Sequence, residues 1–469
     1  MGIHELPVPD GLVLRPFRGV RFTVDEPARV TSPPYDLISD GDVRVLLNAH
    51  PNNVVRLILP GASPSFPPTS GGASSDPSPA SRSDKPLEER YVEARDTLRA
   101  WLDSGVLASD ERPALYVYEQ SGPGVLQRGI IGDVALTDPA RRIILPHEDV
   151  LPGPVADRLA LMSTTQANLE PIFLLYDGAQ STATTLVDEV AVNRAPLVSA
   201  RTEDGLDHRL WAITDQAEID AVNADLRSRQ ALIADGHHRY ATYRMLQRQE
   251  HAARATSQPS PLDVAASSPP GASGSADERA LGPWDFGLAL LVDSSAYPPD
   301  LKAIHRVVPG LPLDEAAARA KGSWRVQDHP TLTEGLAALD AAPEPAFLIA
   351  GEGGCHLLTN PDPVQLALAM PADRSDRWNS LNTSILTEFV MPRVWGMRDD
   401  EQAVRVVHHD AEAAARLAVS MGGTAVILKP LAVEDVLAVA ASGERVPRKS
   451  TSFGPKPRTG LVLRTFAID

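Results

Sequence analysis

Short apolar runs, each closed by glycine or polar residues, constrain the fold of this chain more than any other feature. Clear examples are PIFLLYDG (171–178), HRLWAIT (208–214), QALIADG (230–236) and FGLALLVDSS (286–295). Runs of this length between turn signals indicate buried β-strands. They alternate with segments of helical apolar spacing, such as EERYVEARDTLRAWLDSG (88–105) and LNTSILTEFVM (381–391). The alternation predicts a mixed α/β (α+β) fold.

Turn signals between some of the runs predict β-hairpins. ALYVYEQ (114–120) and QRGIIGDVAL (127–136) flank the turn signal SGPG, and AFLIAGEGGCHLLT (346–359) contains a second turn. Glycine at such a position supplies the backbone angles that tight hairpin turns need. We therefore expect antiparallel strand pairs at both places.

Two long segments contain few apolar residues. Residues 60–86 and 255–280 consist largely of Pro, Ser, Gly and Ala. Such segments cannot bury enough apolar surface to offset their chain entropy. The sequence predicts that both are disordered insertions. We therefore expect an N-terminal α/β domain over residues 1–254 and a second α/β portion over residues 281–469.

The charge and the cysteine content disfavour several classes of protein. The formal net charge is -17, which disfavours a nucleic-acid partner because nucleic-acid binders rely on basic patches. Cys355 is the only cysteine, so neither an internal disulfide nor a thiolate metal cluster can form. No apolar run reaches about 18 residues, and the N-terminus does not resemble a signal peptide. These features predict a cytoplasmic protein without a membrane span and leave its oligomeric state open.

The stretch ALIADGHHRYATYRM (231–245) is the strongest candidate for a binding site. It predicts a buried strand, a turn at Asp235 and Gly236, and a helix from His237. Glycine permits a tight bend or the close approach of a ligand, and the N–H groups at a helix start favour an anion. Arg239 opposes the helix dipole, yet it can bind a phosphate or a carboxylate with two hydrogen bonds. We expect a solvent-facing Arg239 that anchors an anion and contributes little to folding.

The two histidines of this stretch complete the candidate site. His237 or His238 would donate a hydrogen bond or a proton to a bound phosphate. The alternative is an exposed Asp235 cap followed by solvated histidines. Five polar or special residues in succession behind a buried strand favour the binding site.

A second polar segment, ILPHEDVLPGPVADRLALM (144–162), is interrupted by prolines. Its carboxylates are suited to general-base catalysis or to Mg²⁺, which prefers oxygen ligands. We name Glu148 and Asp157 as candidates for these roles and Arg158 as a candidate ligand for phosphate. The alternative is a solvated loop followed by an Asp157 helix cap, and the spacing alone does not separate the two.

A basic segment near the end of the chain, RVPRKSTSFGPKPRTG (445–460), stands out in an acidic protein. Lys449, Ser450 and Thr451 are donors of the kind that contact phosphate. The hypothesis is that this segment closes over the anion site at Arg239, and the alternative is a solvated loop. The sequence contains no Walker A, GxGxxG, GxSxG or HxxxH pattern, so no metal site is assigned.

A series of motifs occurs in order along the chain, namely LRPFRGVRF, TSPPYDLIS, NNVVRLIL, LPHEDVLPGPVADRLALM, LEPIFLLYD, ADGHHRYATY, HRVV and VPRKSTSFGPKPRTGL. Taken together, these motifs resemble the domain-of-unknown-function 1015 family. The chain departs from the family pattern at KAIHR (302–306), where the family often has Pro-Thr-His-Arg. It departs again at FGPK (453–456), where an aromatic residue commonly precedes the proline. The resemblance implies no settled activity.

The DGHHR motif is also distantly similar to the phosphate-binding signature of the ParB/sulfiredoxin superfamily, which includes free-serine kinases with an Asp-Gly-His-x-Arg sequence. This resemblance covers about a dozen residues and implies a ParB/sulfiredoxin-like core in which the turn and the helix start hold nucleotide phosphates.

Two functions of different class follow from these features. The first is phosphoryl transfer, by a kinase or a phosphatase, on a small polar metabolite such as serine or phosphoserine. Its cofactors would be a nucleotide, ADP or ATP, and Mg²⁺. The second is a non-catalytic, ParB-like regulator that binds a nucleotide. Turnover of a phosphate-bearing small molecule would separate the two.

Overall fold

The computed structural model describes residues 9–61, 86–257, 281–399 and 403–467. Apart from a few residues at their ends, the two predicted insertions lie outside these residues. The described chain alternates strands and helices and combines parallel with antiparallel pairing. The predicted mixed α/β class is therefore confirmed.

The strands are numbered in chain order. They are β1 (Leu14–Arg15), β2 (Val20–Phe22), β3 (Leu107–Ser109), β4 (Leu115–Gly122), β5 (Val125–Ala135), β6 (Ile144–Leu145), β7 (Ala167–Asn168), β8 (Ile172–Tyr176), β9 (Val198–Arg201), β10 (Asp207–Ile213), β11 (Ala231–Asp235), β12 (Phe286–Asp293), β13 (Asp300–Lys302), β14 (Ile304–Val308), β15 (Arg325–His329), β16 (Phe347–Gly351), β17 (Gly354–Thr359), β18 (Arg405–His408), β19 (Thr424–Ile427), β20 (Ser452–Gly454) and β21 (Arg464–Thr465).

The helices are numbered in the same way. They are α1 (Pro27–Val30), α2 (Asp40–Ala49), α3 (Val55–Ile58), α4 (Leu87–Asp103), α5 (Pro152–Thr165), α6 (Thr182–Asn193), α7 (Gln216–Leu226), α8 (His237–Ser257), α9 (Leu313–Ala320), α10 (Leu332–Ala341), α11 (Pro363–Ala369), α12 (Asp376–Ser380), α13 (Asn382–Ile385), α14 (Ala411–Ser420) and α15 (Val433–Ser442). A π-helix over Leu386–Val394 follows α13 directly. Within the described part of the chain, every helix is too short or too polar to cross a membrane.

The chain divides into two units that are discontinuous in sequence. Unit 1 comprises Met1–Ile144, Val150–Pro298 and Pro455–Asp469, and unit 2 comprises Leu145–Asp149 and Pro299–Gly454. Strand β12 lies after the second predicted insertion, yet it pairs with β5 and β8 of unit 1. The residues around β12 therefore fold with unit 1, although the sequence analysis placed them in the second portion.

The main sheet of unit 1 is mixed. Its strands run in the order β11, β8, β12, β5, β4, β10 and β9, with β1 beside β5. Strands β8 and β12 are parallel, whereas β4 and β5 form the predicted antiparallel hairpin. Every residue of β8, β11 and β12 is buried. Central strands covered on both faces need apolar residues throughout, which explains the short apolar runs of the sequence.

Unit 2 is built on an antiparallel sheet with the strand order β15, β17, β16, β19, β14 and β18. Alternate residues of β16 belong to two different apolar clusters, so both faces of the sheet are covered. Helix α9 and the π-helix contribute to one cluster, and α10 and α14 contribute to the other. The predicted hairpin over residues 346–359 is formed by β16 and β17.

A fully buried ion pair fixes the end of the chain into unit 1. The Nε atom of Arg464 lies 2.6 Å from Oδ2 of Asp133, and neither side chain is exposed. Arg464 also donates to Oδ1 of Asn168 at 2.9 Å and to the carbonyl oxygen of Pro283 at 2.7 Å. Because a buried guanidinium needs several acceptors, these bonds hold β21 against unit 1.

Arg464→Met should lower the free energy of unfolding by about 3–5 kcal/mol, because it leaves the buried Asp133 carboxylate without its main partner. The matched control is Arg15→Met. Arg15 binds the same carboxylate at 3.0 Å, but its side chain is 33% exposed. The free energy of unfolding should therefore fall much less in Arg15→Met. Urea denaturation measures both losses, and equal losses would contradict the role assigned to Arg464.

Candidate functional site

The predicted strand, turn and helix around DGHHR are present in unit 1. Strand β11 ends at Asp235, and α8 begins at His237 and extends for 21 residues. Gly236 lies between them with a φ of +93°, a conformation that favours glycine. The N–H of Tyr240 donates to the carbonyl oxygen of Gly236 at 2.8 Å, which closes the first helical turn. Helix geometry leaves the preceding N–H groups without intrahelical acceptors.

Arg239 is buried rather than solvent-facing, which corrects the expectation from the sequence. Its side chain is 5% exposed and lies 2.5 Å from Oδ2 of Asp235. A second nitrogen donates to the carbonyl oxygen of Pro171 at 2.6 Å. Burial of the charge is tolerated because the carboxylate stands one helical turn earlier and the carbonyl satisfies a further N–H. Arg239 therefore contributes to folding as well.

One nitrogen of Arg239 remains without a hydrogen bond. Its buried Nε has no partner among the residues that the structure describes. A Cβ added to Gly236 would lie 3.2 Å from this Nε, so the unpaired N–H lies beside the turn. A buried donor without an acceptor costs free energy, and a ligand atom at the turn would satisfy it.

Lys456 belongs to the same network, and the sequence analysis missed it. Its Nζ lies 2.5 Å from Oδ1 of Asp235 and 2.7 Å from Oδ2 of Asp36. Burial favours protonation of Asp36, but Lys456 and Arg239 outweigh it and hold the pKa of Asp36 below its usual value. The only sequence signal for Lys456 was its place in the basic segment near the end of the chain.

Glu170 and Tyr35 also belong to this network of charged and polar side chains. Oε1 of Glu170 accepts hydrogen bonds from the N–H of Tyr35 at 3.0 Å and from the Thr459 hydroxyl at 3.1 Å. Burial raises the pKa of Glu170, against the opposing charges of Arg239 and Arg158. Burial also raises the pKa of Tyr35 to about 12, so its phenol stays neutral.

Arg158 and Asp157 lie in α5, near the same network. Arg158 binds Oδ2 of Asp157 at 2.6 Å and the carbonyl oxygen of Ile58 at 2.7 Å. Its guanidinium carbon stands 4.6 Å from the centre of the Tyr35 ring, a cation–π distance. The Tyr91 hydroxyl donates to Oδ1 of Asp157 at 2.6 Å. Helix α5 begins at Pro152, so the alternative reading of Asp157 as a helix cap is wrong.

Arg158, Glu170 and Arg239 meet at a small cleft with a volume of about 30 Å³. The remaining walls are apolar except for the Tyr243 side chain, and they are formed by Ile58, Leu161, Met162, Ala167, Leu169 and Tyr243. Two guanidinium groups and one carboxylate at the edge of this small apolar cleft offer both donors and acceptors to a polar group that reaches it.

The two histidines at the helix start are half-buried. The Nε2 atom of His238 accepts a hydrogen bond from the N–H of Leu151 at 3.1 Å. A neutral imidazole that accepts at Nε2 carries its proton on Nδ1. A proton-donor role for His238 would therefore fall to Nδ1, and the roles of His237 and His238 stay predictions.

The other predicted site residues form a separate group in unit 2. Oε1 of Glu148 accepts from the Thr451 hydroxyl at 2.9 Å, and burial raises the pKa of Glu148. The Ser450 hydroxyl donates to the carbonyl oxygen of Pro447 at 2.5 Å, and Lys449 is exposed. The structure thus joins Glu148 to the basic segment, whereas Arg239 belongs to unit 1.

Lys456, in the later part of the basic segment, binds Asp235 beside Arg239, whereas the closure of Lys449, Ser450 and Thr451 over Arg239 stays a prediction. Among the described residues, no group of three or more His, Cys, Asp or Glu side chains is arranged to hold a metal ion. The expected Mg²⁺ stays a prediction as well.

A family model described as a protein of unknown function, DUF1015, matches residues 14–384. This match covers most of the chain and confirms the resemblance found in the sequence motifs. No curated protein matches the sequence.

Several solved structures are similar to the chain at low identity. A free serine kinase variant in complex with AMP is 13% identical over 73% of this chain and 94% of the kinase, with a TM-score of 0.34. SbnI with a C-terminal truncation, from Staphylococcus aureus, is 12% identical over 72% and 88% of the two chains, with a TM-score of 0.35. A conserved hypothetical protein from Pyrococcus furiosus is 12% identical over 70% and 90%, with a TM-score of 0.31.

Gly236→Ala should destabilise the protein more than Gly205→Ala does. Both glycines have positive φ, so an alanine at either position lowers the free energy of unfolding by about 1–2 kcal/mol because of the left-handed backbone. A Cβ at Gly236 would also press on Ile172 at 3.1 Å and Arg239 at 3.2 Å, whereas a Cβ at Gly205 meets nothing within 4 Å. Thermal unfolding of the two variants measures the difference, and equal losses would show that the turn is not crowded.

Glu170→Gln should change how the free energy of unfolding depends on pH. The native pKa of Glu170 is raised above its ordinary value of 4.5. A group with a raised native pKa stabilises the fold below its unfolded pKa, and this stabilisation is lost as pH rises through the native pKa. We expect the wild type to show this loss above pH 4.5 and Glu170→Gln to lack it.

Asp36→Asn is the control with the opposite sign. The native pKa of Asp36 lies below 3.8, so its stabilisation is present above that value and is lost as pH falls through the native pKa. Asp36→Asn should therefore lose less stability in acid than wild type does. It should keep the loss of stability above pH 4.5 that Glu170 causes. Denaturation curves across the pH range measure both effects. An unchanged profile for Glu170→Gln would contradict the raised pKa.

Proposed function

This chain belongs to the DUF1015 family, whose function is unknown. We propose that it is a phosphoryl-transfer enzyme. Its substrate would be a small polar metabolite such as serine or phosphoserine, and a nucleotide would donate or accept the phosphoryl group. The phosphate would bind at the turn between β11 and α8. Arg239, Gly236 and Lys456 form the centre of the proposed site.

The unpaired Nε of Arg239 carries this proposal. It is a buried donor, it lies beside a glycine turn, and it stands at the start of a 21-residue helix. A phosphate at this position would accept from Nε and from the N–H groups of the first helical turn. The positive end of the helix dipole would add to the attraction. Arg244 of the same helix also has a buried Nε without a partner among the described residues, so the position beside the glycine turn is what distinguishes Arg239.

The neighbouring charges are suited to phosphoryl transfer, which depends on positioning and charge neutralisation. Arg158 and Lys456 would neutralise phosphate oxygens together with Arg239. Asp36 would remain a charged carboxylate at the site, because Lys456 and Arg239 keep it ionised, and its side chain is 37% exposed. Asp157 would position Arg158, since its oxygens bind Arg158 and Tyr91.

Mg²⁺ is a further part of the proposal. In proteins this ion is bound by one or two carboxylates together with phosphate oxygens and water. Asp36 is the carboxylate that would contribute on the side of the protein, and the ion would neutralise charge on the phosphate.

Arg239→Lys should weaken binding of ADP, ATP or phosphoserine by about ten- to a hundredfold. Lysine keeps the charge that Asp235 needs, but it lacks the planar guanidinium and its Nε, and the loss of such charge-assisted bonds costs about 1.5–3 kcal/mol. The matched control is Arg244→Lys, which lies farther along the same helix, is 8% exposed and donates to the carbonyl oxygen of Leu136. The Nε of Arg244 also lacks a partner among the described residues, so the two variants differ in their position relative to the glycine turn. Calorimetric titration of wild type and both variants measures the affinities.

Circular dichroism and thermal unfolding of each variant show whether it folds. Equal weakening by Arg239→Lys and Arg244→Lys would mean that the helix, rather than the Arg239 side chain, determines binding. Turnover is measured separately with ADP or ATP plus serine, and with phosphoserine plus water. Nucleotide binding without turnover in any combination would contradict the enzymatic part of the proposal.

A further inference from the structure

A cavity of about 610 Å³ opens at the end of the unit 2 sheet where β16 turns into β17. This volume lies within the range of about 300–1,000 Å³ that is typical of small-molecule sites. The walls come from the start of α9, the turn of the β16–β17 hairpin and the end of α14. All of the lining residues belong to unit 2, so one unit forms the complete cavity.

Glycines shape both the base and the rim of this cavity. A Cβ added to Gly351 would lie 2.9 Å from the carbonyl oxygen of Gly423 and 3.1 Å from Cβ of Leu313. The hairpin, α14 and α9 are therefore packed tightly at this point. In contrast, a Cβ added to Gly353 or Gly422 would meet nothing within 4 Å. These two glycines line open space, which a ligand can fill.

The charged groups of the cavity are two carboxylates. Asp314 and Glu352 both line it and are exposed. Neither side chain has an ion pair or a hydrogen bond among the described residues. The single basic residues of α9 and α14, Arg319 and Arg416, form ion pairs with glutamates of their own helices. The cavity therefore carries negative charge that these helices do not neutralise.

The end of α14 adds partial negative charge to the same cavity. The helix ends at Ser420, and Val419, Gly422 and Gly423 on either side of that residue line the cavity. The last carbonyl groups of a helix carry the negative end of its dipole. The last turn of α14 contains no basic residue that would offset this charge. A positively charged group is therefore favoured at this end of the helix.

His356 contributes a hydrogen-bond acceptor. Its Nδ1 lies 2.8 Å from Oδ1 of Asp328, and an ionised carboxylate only accepts hydrogen bonds, so Nδ1 carries a proton. In the neutral imidazole Nε2 is then an acceptor, and the carboxylate fixes the orientation of the ring. Because no three His, Cys, Asp or Glu side chains among the described residues are arranged to hold a metal ion, these acceptors are suited to an organic cation.

We propose that unit 2 binds an organic cation in this cavity, namely a primary ammonium or guanidinium group that carries an apolar chain. Asp314 and Glu352 pair with the cationic group, and Nε2 of His356 accepts one of its N–H donors. The apolar chain packs on Leu313 and on Val419, which is 48% exposed. This site is independent of the phosphate site proposed in unit 1.

Saturation-transfer NMR on the full chain tests the proposal with hexylamine, and hexanoate serves as the ligand of opposite charge. Hexylamine should bind and hexanoate should not, although their apolar chains are similar. Asp314→Asn combined with Glu352→Gln removes both charges at nearly constant shape. The dissociation constant of hexylamine should rise about fivefold or more in this double variant, because two partly exposed ion pairs are lost.

The matched control is Glu334→Gln combined with Glu434→Gln. These glutamates are exposed in the first turns of α10 and α15 and do not line the cavity. The control removes the same net charge and should bind hexylamine as wild type does. Thermal unfolding shows whether each variant folds. If the double cavity variant is unstable, Glu352→Gln alone, in the exposed hairpin turn, should still weaken binding about twofold or more.

A blocked tripeptide with lysine between two leucines separates the two sources of such a cation. Tighter binding of the tripeptide than of hexylamine would assign the cavity to a lysine of a protein partner, and weaker binding would assign it to a free amine. The proposal is overturned if hexylamine does not bind wild type, if hexanoate binds equally well, or if the control variant weakens binding as much as the cavity variant does.

Discussion

The carboxylate of Asp235 is the point on which the architecture of unit 1 depends. One of its oxygens binds Arg239 and the other binds Lys456, both at 2.5 Å. It therefore joins the end of β11, the first turn of α8 and the last segment of the chain. Lys456 extends the connection to Asp36, so chain segments far apart in sequence meet at one charge. Buried ions of this kind are stable only when each has its partners, which makes the arrangement specific.

The sequence predicted the parts of this site that are local. The strand ending near Asp235, the glycine turn and the helix from His237 are all present, because strand burial, turn chemistry and helix initiation depend on neighbouring residues. The burial of Arg239 was not predictable. It depends on Asp235 one turn earlier and on the Pro171 carbonyl, and the second contact comes from a distant strand connection.

Other parts of the site depend on tertiary contacts that no pattern revealed. Glu170 accepts from Tyr35 and Thr459, residues that lie far from it in sequence on either side. The sequence analysis named both Glu148 and Arg239 as candidate site residues, yet they belong to different units. Spacing along the chain carries no information on such a division, because unit 2 takes in a short segment from within unit 1.

The folded protein tolerates the buried guanidinium of Arg239 because Asp235 balances its charge, and only its Nε lacks a partner among the described residues. A ligand that binds only the folded state stabilises it by an amount that grows with the logarithm of its concentration relative to its dissociation constant. An anion at Arg239 would share the guanidinium with the Asp235 carboxylate, so it would gain less than it would from an arginine without an internal partner.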